Sequence, residues 1–274
     1  MRLTCLVDNC VQRGSSLWGA HGLSFLIQAE GGAVLWDVGP APEVLRHNLH
    51  ALGLEQTPVA AIALSHAHDD HVGGLSAALE LYPSAPIYAN AGLLEPRYSL
   101  RQGAMQSIGL VSSPSLPQAR ERLRLSDAPQ EIVRGVRTSG VIGPRPFPLG
   151  ASSHHRVKRG DAFVADPYCD DMSLVLEVGQ GIVLLCGCCH AGLRNTLATL
   201  RAQDSRPLLA IVGGTHLDAA SDAELEQLIQ AIRAEGAPHL YLNHCTGERA
   251  IWRLHHALGE RVAACPAGTV LELG

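Results

Sequence analysis

The residues best suited to chemistry lie together in a stretch of seven, from Ser65 to His71. This stretch contains three histidines and two aspartates, and it directly follows an apolar, β-rich run at residues 59–64. Imidazole and carboxylate groups are the ligands that zinc, iron and manganese accept in proteins. So dense a cluster at the end of a strand predicts a metal site that can hold more than one ion.

Further polar residues occupy the same kind of position, directly after an apolar strand pattern. These strand-end residues are Asp37, His66, His190, His216 and His244. Functional sites in α/β proteins gather at the carboxyl ends of strands, because the loops there are free to vary. We therefore expect these residues to converge, with His190 and His244 as metal ligands. His216 could be a ligand, a donor to substrate or a support for the ligands, and substrate contact is favoured.

The first cluster matches the HxHxDH signature of the metallo-β-lactamase superfamily. The matching residues are His66, His68, Asp70 and His71. The segment 34–39 resembles the superfamily's early strand, which ends in Asp-x-Gly. The resemblance implies an α/β fold built as a four-layer αββα sandwich, with Asp37 supporting the ligands. Asp69 falls at a variable position of the signature and receives no role.

Other segments resemble a narrower branch of that superfamily. They are residues 187–192, 213–217 and 243–247, together with the opening segments 7–9 and 21–27. This branch includes a pterin synthase, which joins a dihydropterin to a ribofuranosyl-aminobenzene phosphate. The resemblance covers nearly the whole chain except about residues 91–165.

The resemblance also implies two sets of metal ligands. One set is His66, His68 and His190, and the other is Asp70, His71 and His244. Two divalent ions are expected, with zinc favoured and iron or manganese as alternatives.

Cys188 departs from the superfamily pattern, because it stands where a bridging aspartate is usual. A thiolate is softer than a carboxylate and would favour zinc or iron if it bound. Alternatively the bridge is lost, and His190 ligates from two residues further on. The sequence favours His190 as the ligand and keeps Cys188 as a candidate that we expect to pack beside its strand.

Four more polar residues have open roles. His154 and His155 could supply the superfamily's usual third histidine, but they lie among basic residues, and a solvated loop is favoured. Asp170 and Asp171 precede an apolar strand pattern; a turn or cap is favoured, with an acidic role at the substrate site as the alternative.

Composition narrows the class of protein. The chain has 274 residues, of which 46% are hydrophobic, so it can bury a large core. The formal charge of −5 gives no reason to expect a nucleic-acid partner. No run approaches the ~20 apolar residues of a membrane span, and no targeting segment is evident. Three of the eight cysteines fall within four residues, which suits a reducing cytoplasmic compartment better than a disulfide framework.

Periodicity predicts two similar halves, each with a sheet covered by outer helices, in a single domain over residues 1–274. The segment 91–130 is rich in Ser, Pro, Arg and Gln and has weak periodicity. Long irregular segments in compact domains are usually functional. We therefore expect an insertion with helical pieces, at about residues 91–165, that shapes the pocket.

Two metals at an open site favour hydrolysis, because a metal lowers the pKa of bound water to about 7 and makes hydroxide available. The expected substrate is a small ester or phosphoester, with Asp70 as proton acceptor. Two cations, the helix N-terminus at 246–247 and the donors His21 and His216 favour an anionic substrate. The alternatives are a transferase with a pyrophosphate leaving group, as in the pterin synthase, and a non-catalytic metal- or ligand-binding protein.

Overall fold

The computed structural model describes all 274 residues, from Met1 to Gly274. Its strands are β1 Arg2–Val7, β2 Ser24–Ala29, β3 Gly32–Trp36, β4 Val59–Ala63, β5 Ile87–Ala89, β6 Arg97–Arg101, β7 Ala104–Ser107, β8 Leu123–Leu125, β9 Glu131–Val133, β10 Val136–Thr138, β11 His155–Arg159, β12 Ala162–Ala165, β13 Ser173–Val178, β14 Gly181–Cys186, β15 Leu208–Gly213, β16 His239–Leu242, β17 Val262–Ala264 and β18 Val270–Glu272. Its α-helices are α1 Pro42–Ala51, α2 Asp69–Val72, α3 Leu75–Leu81, α4 Leu116–Arg120, α5 Leu193–Gln203, α6 Asp222–Ala234 and α7 Glu248–Leu258.

Two seven-stranded sheets face each other. The first has the order β18-β1-β2-β3-β4-β5-β8, and the second has the order β17-β16-β15-β14-β13-β10-β9. One apolar cluster lies between the sheets, and two more lie beneath the outer helices. On β2, Phe25 and Ile27 join the central cluster, whereas Leu26 joins the cluster under α1 and α3. The predicted αββα sandwich is therefore confirmed.

Two local features shape the second half of the chain. The strands β13 and β14 form an antiparallel hairpin in which Ser173 pairs with Cys186 and Val178 with Gly181. A capping box begins α6. The Glu224 amide donates to Ser221 Oγ (3.2 Å), and the Ser221 amide donates to Glu224 Oε2 (2.8 Å).

The segment 91–165 contains helical pieces, but most of its regular structure is strand. Its strands β6, β7, β11 and β12 form a third, four-stranded sheet. The strands β8, β9 and β10 extend the edges of the two large sheets. Only α4 and two short 3₁₀ turns are helical there. These strands have three to five residues and polar, partly exposed faces, so their periodicity is too short to recognise.

Parallel pairing explains how the fold assembles a site. The strands β3 and β4 are parallel in the first sheet, and β14, β15 and β16 are parallel in the second. Their carboxyl ends therefore lie at one edge of each sheet. Trp36 at the end of β3 links the two edges, because its indole Nε1 donates to the carbonyl of Cys186 at the end of β14 (3.2 Å). No helix of the fold is long and apolar enough to cross a membrane.

Candidate metal centre

The first ligand group consists of three buried histidines, His66, His68 and His190. One ring nitrogen of each lies within 4.8 Å of the others, and His66 Nε2 is 3.0 Å from His68 Nδ1. The pKa of each ring is held well below its ordinary value, first by burial and then by the neighbouring histidine rings. All three rings are therefore neutral at pH 7, which is the form that binds metals.

The second ligand group consists of Asp70, His71, Cys188 and His244. His71 Nε2 lies 3.1 Å from Cys188 Sγ and 3.2 Å from His244 Nε2. Asp70 Oδ2 is 3.3 Å from His244 Nε2. These side chains are buried, except that Asp70 remains 22% exposed towards the pocket. The two groups contain all six ligands predicted from the sequence, with Cys188 added.

Metal ions fit these donors better than protein hydrogen bonds do. His68 Nε2 and His190 Nε2 are buried and have no hydrogen-bond partner. Unpartnered buried nitrogens are rare in proteins because they lose hydration without compensation. An ion held by both nitrogens would provide that compensation. The set of imidazole, carboxylate and thiolate donors suits zinc or iron.

Cys188 is expected from the sequence to pack beside its strand, and its side chain is buried. Its Sγ is among the ligand atoms of the second group, because Gly187 lets the chain turn close to the metal loop. A Cβ added at Gly187 would lie 2.2 Å from Ser65 Oγ. Burial raises the pKa of the Cys188 thiol, and Cys245 raises it further. A bound metal would nevertheless deprotonate it.

Cys188→Ser is therefore expected to weaken metal binding by the second group at least about tenfold, because a serine hydroxyl is a far poorer ligand than a thiolate. Elemental analysis and chelator competition would measure the loss. Cys189→Ser is a matched control, since that neighbouring thiol packs in the core beside Thr196 Oγ1 (3.3 Å). Wild-type metal content in Cys188→Ser would show that Cys188 is a packing residue and not a metal ligand.

Asp37, to which the resemblance gives a supporting role, contacts His71 of the second group. His71 Nδ1 donates to Asp37 Oδ2 (2.7 Å), and Ser65 donates to both carboxylate oxygens through its amide (2.7 Å) and hydroxyl (2.8 Å). Burial lowers the pKa of His71, but Asp37 and Asp70 outweigh this effect and raise it to about 9. Asp37 thus fixes the ring so that Nε2 faces the other ligands.

His190 and His244 are oriented through their Nδ1 atoms. His190 Nδ1 donates to the Gly150 carbonyl (3.0 Å). His244 Nδ1 lies 3.0 Å from Asn9 Oδ1, and the His244 amide donates to Asp8 Oδ1 (2.7 Å). Both Nε2 atoms are consequently left for a metal. The opening segment 7–9, singled out only by resemblance, therefore has a physical role at the site.

Asp170 and Asp171 lie at a turn before β13, and their carboxylates also support the two ligand loops. Asp170 Oδ2 accepts from the Ala67 amide, between the first two ligands (2.8 Å). Asp171 Oδ2 accepts from the Ala191 amide, next to His190 (2.7 Å). Both carboxylates are buried. The partners lie 103 and 20 residues away in the chain, and no local pattern reports contacts at those separations.

The open side of the centre is a pocket whose further polar residues include His21, Arg101, Ser152, His155 and His216. His21 Nε2 is 3.5 Å from Asp70 Oδ2, and its side chain is 72% exposed. The His216 ring lies 4.4 Å from that of His190 and also borders a second, partly apolar cavity under α6. His21 and His216 are thus placed where a substrate could contact them.

His155 does not lie in a solvated loop, as the sequence had suggested, whereas its neighbour His154 is exposed. The His155 ring is half-buried, 4.6 Å from that of His68, and Nδ1 is hydrogen-bonded to Tyr168 Oη (3.1 Å). Tyr168 in turn stacks on His190, with the rings 4.3 Å apart. Tyr168 carried no sequence signal, because its place depends on the third sheet.

Comparison with known proteins agrees with this geometry. The model of the metallo-beta-lactamase superfamily matches residues 17–234. The chain is 24% identical to a 7,8-dihydropterin-6-methyl-4-(beta-D-ribofuranosyl)-aminobenzene-5'-phosphate synthase of Methanocaldococcus jannaschii, over 91% of this chain and 89% of that one.

Solved structures give the same result. A crystal structure of a metal-dependent hydrolase of the beta-lactamase superfamily superposes with a TM-score of 0.84 at 25% identity, over 100% of this chain and 99% of the other. The Zn(2+)-bound PqqB of Methylobacterium extorquens shares the fold, with a TM-score of 0.58 at 14% identity and complete coverage of both chains. This chain belongs to the metallo-beta-lactamase superfamily.

Proposed function

We propose that this protein is a metal-dependent hydrolase that holds two divalent ions and cleaves an ester or phosphoester bond of a small anionic molecule. The observation that carries the proposal is the pair of adjacent ligand groups at the floor of one open pocket. The whole-length similarity to a metal-dependent hydrolase supports it. Zinc is the favoured ion, because five of the seven candidate donors are imidazoles and one is a thiolate.

Each of the two ligand groups would hold one ion. His66, His68 and His190 would hold one ion, and Asp70, His71, Cys188 and His244 would hold the other. Bound ions of this kind lower the pKa of water to about 7 and so supply a nucleophile at neutral pH. Both groups lie at the same pocket floor, so a substrate bound there would place its reacting bond beside both.

Asp70 is proposed as both ligand and proton acceptor. Burial raises its pKa, but His71 and His244 outweigh this effect and hold the pKa well below its ordinary value. Asp70 therefore remains a carboxylate at neutral pH, and it is the one member of its group that is partly open to the pocket. His21 and His216 would donate hydrogen bonds to an anionic substrate.

A transferase is the second candidate, and the similarity to the pterin synthase favours it. That reaction would use the same pocket to activate a pyrophosphate leaving group instead of water.

The eight cysteines are all free thiols, which supports a reducing, cytoplasmic setting for either activity.

The purified protein is expected to hydrolyse activated phosphoesters or esters, to lose activity with a chelator and to regain it with zinc, manganese or iron. A panel of phosphomonoesters, phosphodiesters, lactones and thioesters would rank the substrate classes. His216→Ala should raise the KM for the best anionic substrate about tenfold, the effect of one lost charged hydrogen bond, without changing metal content. His239→Ala, on an exposed strand position, is a control.

The results separate the proposals. Faster turnover of neutral lactones than of every phosphoester would contradict the proposal of an anionic substrate. The proposal that the protein is a hydrolase would still stand. Metal-loaded protein that hydrolyses nothing, yet releases pyrophosphate from a dihydropterin pyrophosphate with an aminobenzene acceptor, would replace the hydrolase by the transferase.

A further inference from the structure

Arg101 stands out among the basic residues of the chain. Of the 20 arginines and one lysine, Arg101 alone lines the metal pocket. Most other arginines are engaged by carboxylates or carbonyls, whereas Arg101 has no hydrogen-bond acceptor and no carboxylate within 4.0 Å. Arg101 is exposed at the end of β6, as are Arg13 and Arg120, the only other arginines without partners, but those two lie outside the pocket. A guanidinium keeps its charge at any physiological pH, so Arg101 presents a fixed positive charge to the pocket.

The strand that carries Arg101 explains its direction. Side chains alternate along a strand, so Arg97, Ser99 and Arg101 of β6 share one face. Arg97 and Ser99 on that face are buried. Register pairing places His155 of β11 beside Ser99, so the third sheet forms one polar wall of the pocket.

This wall is tied firmly to the metal loop. Arg97 forms buried ion pairs with Asp166 (3.1 Å) and with Asp170 (2.7 Å), and Asp170 also accepts from the Ala67 amide. The segment after β7 adds a second link, because the Asp69 amide donates to the Ile108 carbonyl (2.8 Å). The strand is thus held at a fixed distance from the ligand loop.

We propose that Arg101 binds a second anionic group of the substrate, a phosphate or carboxylate separate from the group that reacts at the metals. The inference rests on the proposed function, which places the reacting group at the ligand clusters. Guanidinium pairs with phosphate and carboxylate through two parallel hydrogen bonds, which fixes orientation as well as charge. The substrate class is therefore a small molecule with two anionic ends, and the third sheet selects it.

Binding of two matched probes tests this assignment without turnover. 2-Carboxyethylphosphonate has two anionic ends, whereas ethylphosphonate has only the phosphonate. Calorimetry on zinc-loaded protein should show that Arg101→Gln weakens the two-ended probe about 10- to 100-fold, the range of a charged hydrogen-bond pair, and changes the one-ended probe less than about twofold. Arg120→Gln removes the same charge from an exposed helix end and should change neither affinity.

The outcomes are distinct. Equal affinity of wild type and Arg101→Gln for the two-ended probe would overturn the assignment, as would a wild type that binds neither probe. Arg101→Lys should recover only part of the affinity, because an ammonium cannot form the paired geometry. If the probe results hold while the panel of esters shows no hydrolysis, the proposed reaction fails and the anion site stands.

Discussion

His68→Ala protein is expected to purify with about one divalent ion fewer per chain than the wild type, and with activity close to background. His68 belongs to the three-histidine group, and its Nε2 is buried without any protein partner. Loss of one of three ligands leaves too few donors to hold an ion against water. Elemental analysis of protein purified without added metal would measure the change.

The control for this prediction is His154→Ala, which removes an exposed imidazole from the loop beside the pocket. Both variants should keep the wild-type circular dichroism spectrum, because neither side chain belongs to the three apolar clusters of the fold. Unchanged metal content in His68→Ala would remove the first ligand group from the proposal.

Arg97→Met is expected to lower the free energy of unfolding by about 3–5 kcal/mol, the usual cost of stranding buried charges. The Arg97 side chain is fully buried between Asp166 and Asp170. It also donates to the carbonyls of Gly92 (3.1 Å) and Glu95 (2.9 Å). Urea denaturation of the metal-free protein would measure the effect, with exposed Arg120→Met as the control.

The free energy of unfolding that Arg97→Met loses should depend on pH in a defined direction. Burial raises the pKa of Asp170 to about 6 even though Arg97 lowers it. Without Arg97 the pKa rises further, so Asp170 is protonated at pH 5 and its stranded charge disappears. The destabilisation should therefore be smaller at pH 5 than at pH 8. An equal loss at both pH values would show that the charge of Asp170 does not contribute to the effect of Arg97→Met.

Local patterns predicted the frame of this protein and the first candidate ligands. The HxHxDH cluster needs only seven residues to be recognised, and the long apolar strands and amphipathic helices around it have clear periods. The position of His190 and His244 directly after apolar strand patterns then identified them as candidates, although both lie far along the chain. Each of these inferences depends on residues that are close together in sequence, or on a topology common to α/β folds.

The remainder of the site depends on contacts between distant segments. Asp170 supports the loop of Ala67, and Asn9 supports His244, across 103 and 235 residues. His155 reaches the pocket only because β11 pairs with β6 in a sheet whose strands are too short to recognise. Cys188 was visible in the sequence, but its direction depends on the close approach of Gly187 to Ser65.

Both ligand groups draw on the two halves of the chain. His66 and His68 follow a strand of the first sheet and His190 one of the second, and Asp70 and His71 face Cys188 and His244 in the same way. An ion bound by either group would therefore link the first sheet to the second. Binding energy confined to the native state adds to its stability. Removal of metal should therefore allow the two sheets to separate locally at this edge, while the hydrogen bonds within each sheet remain.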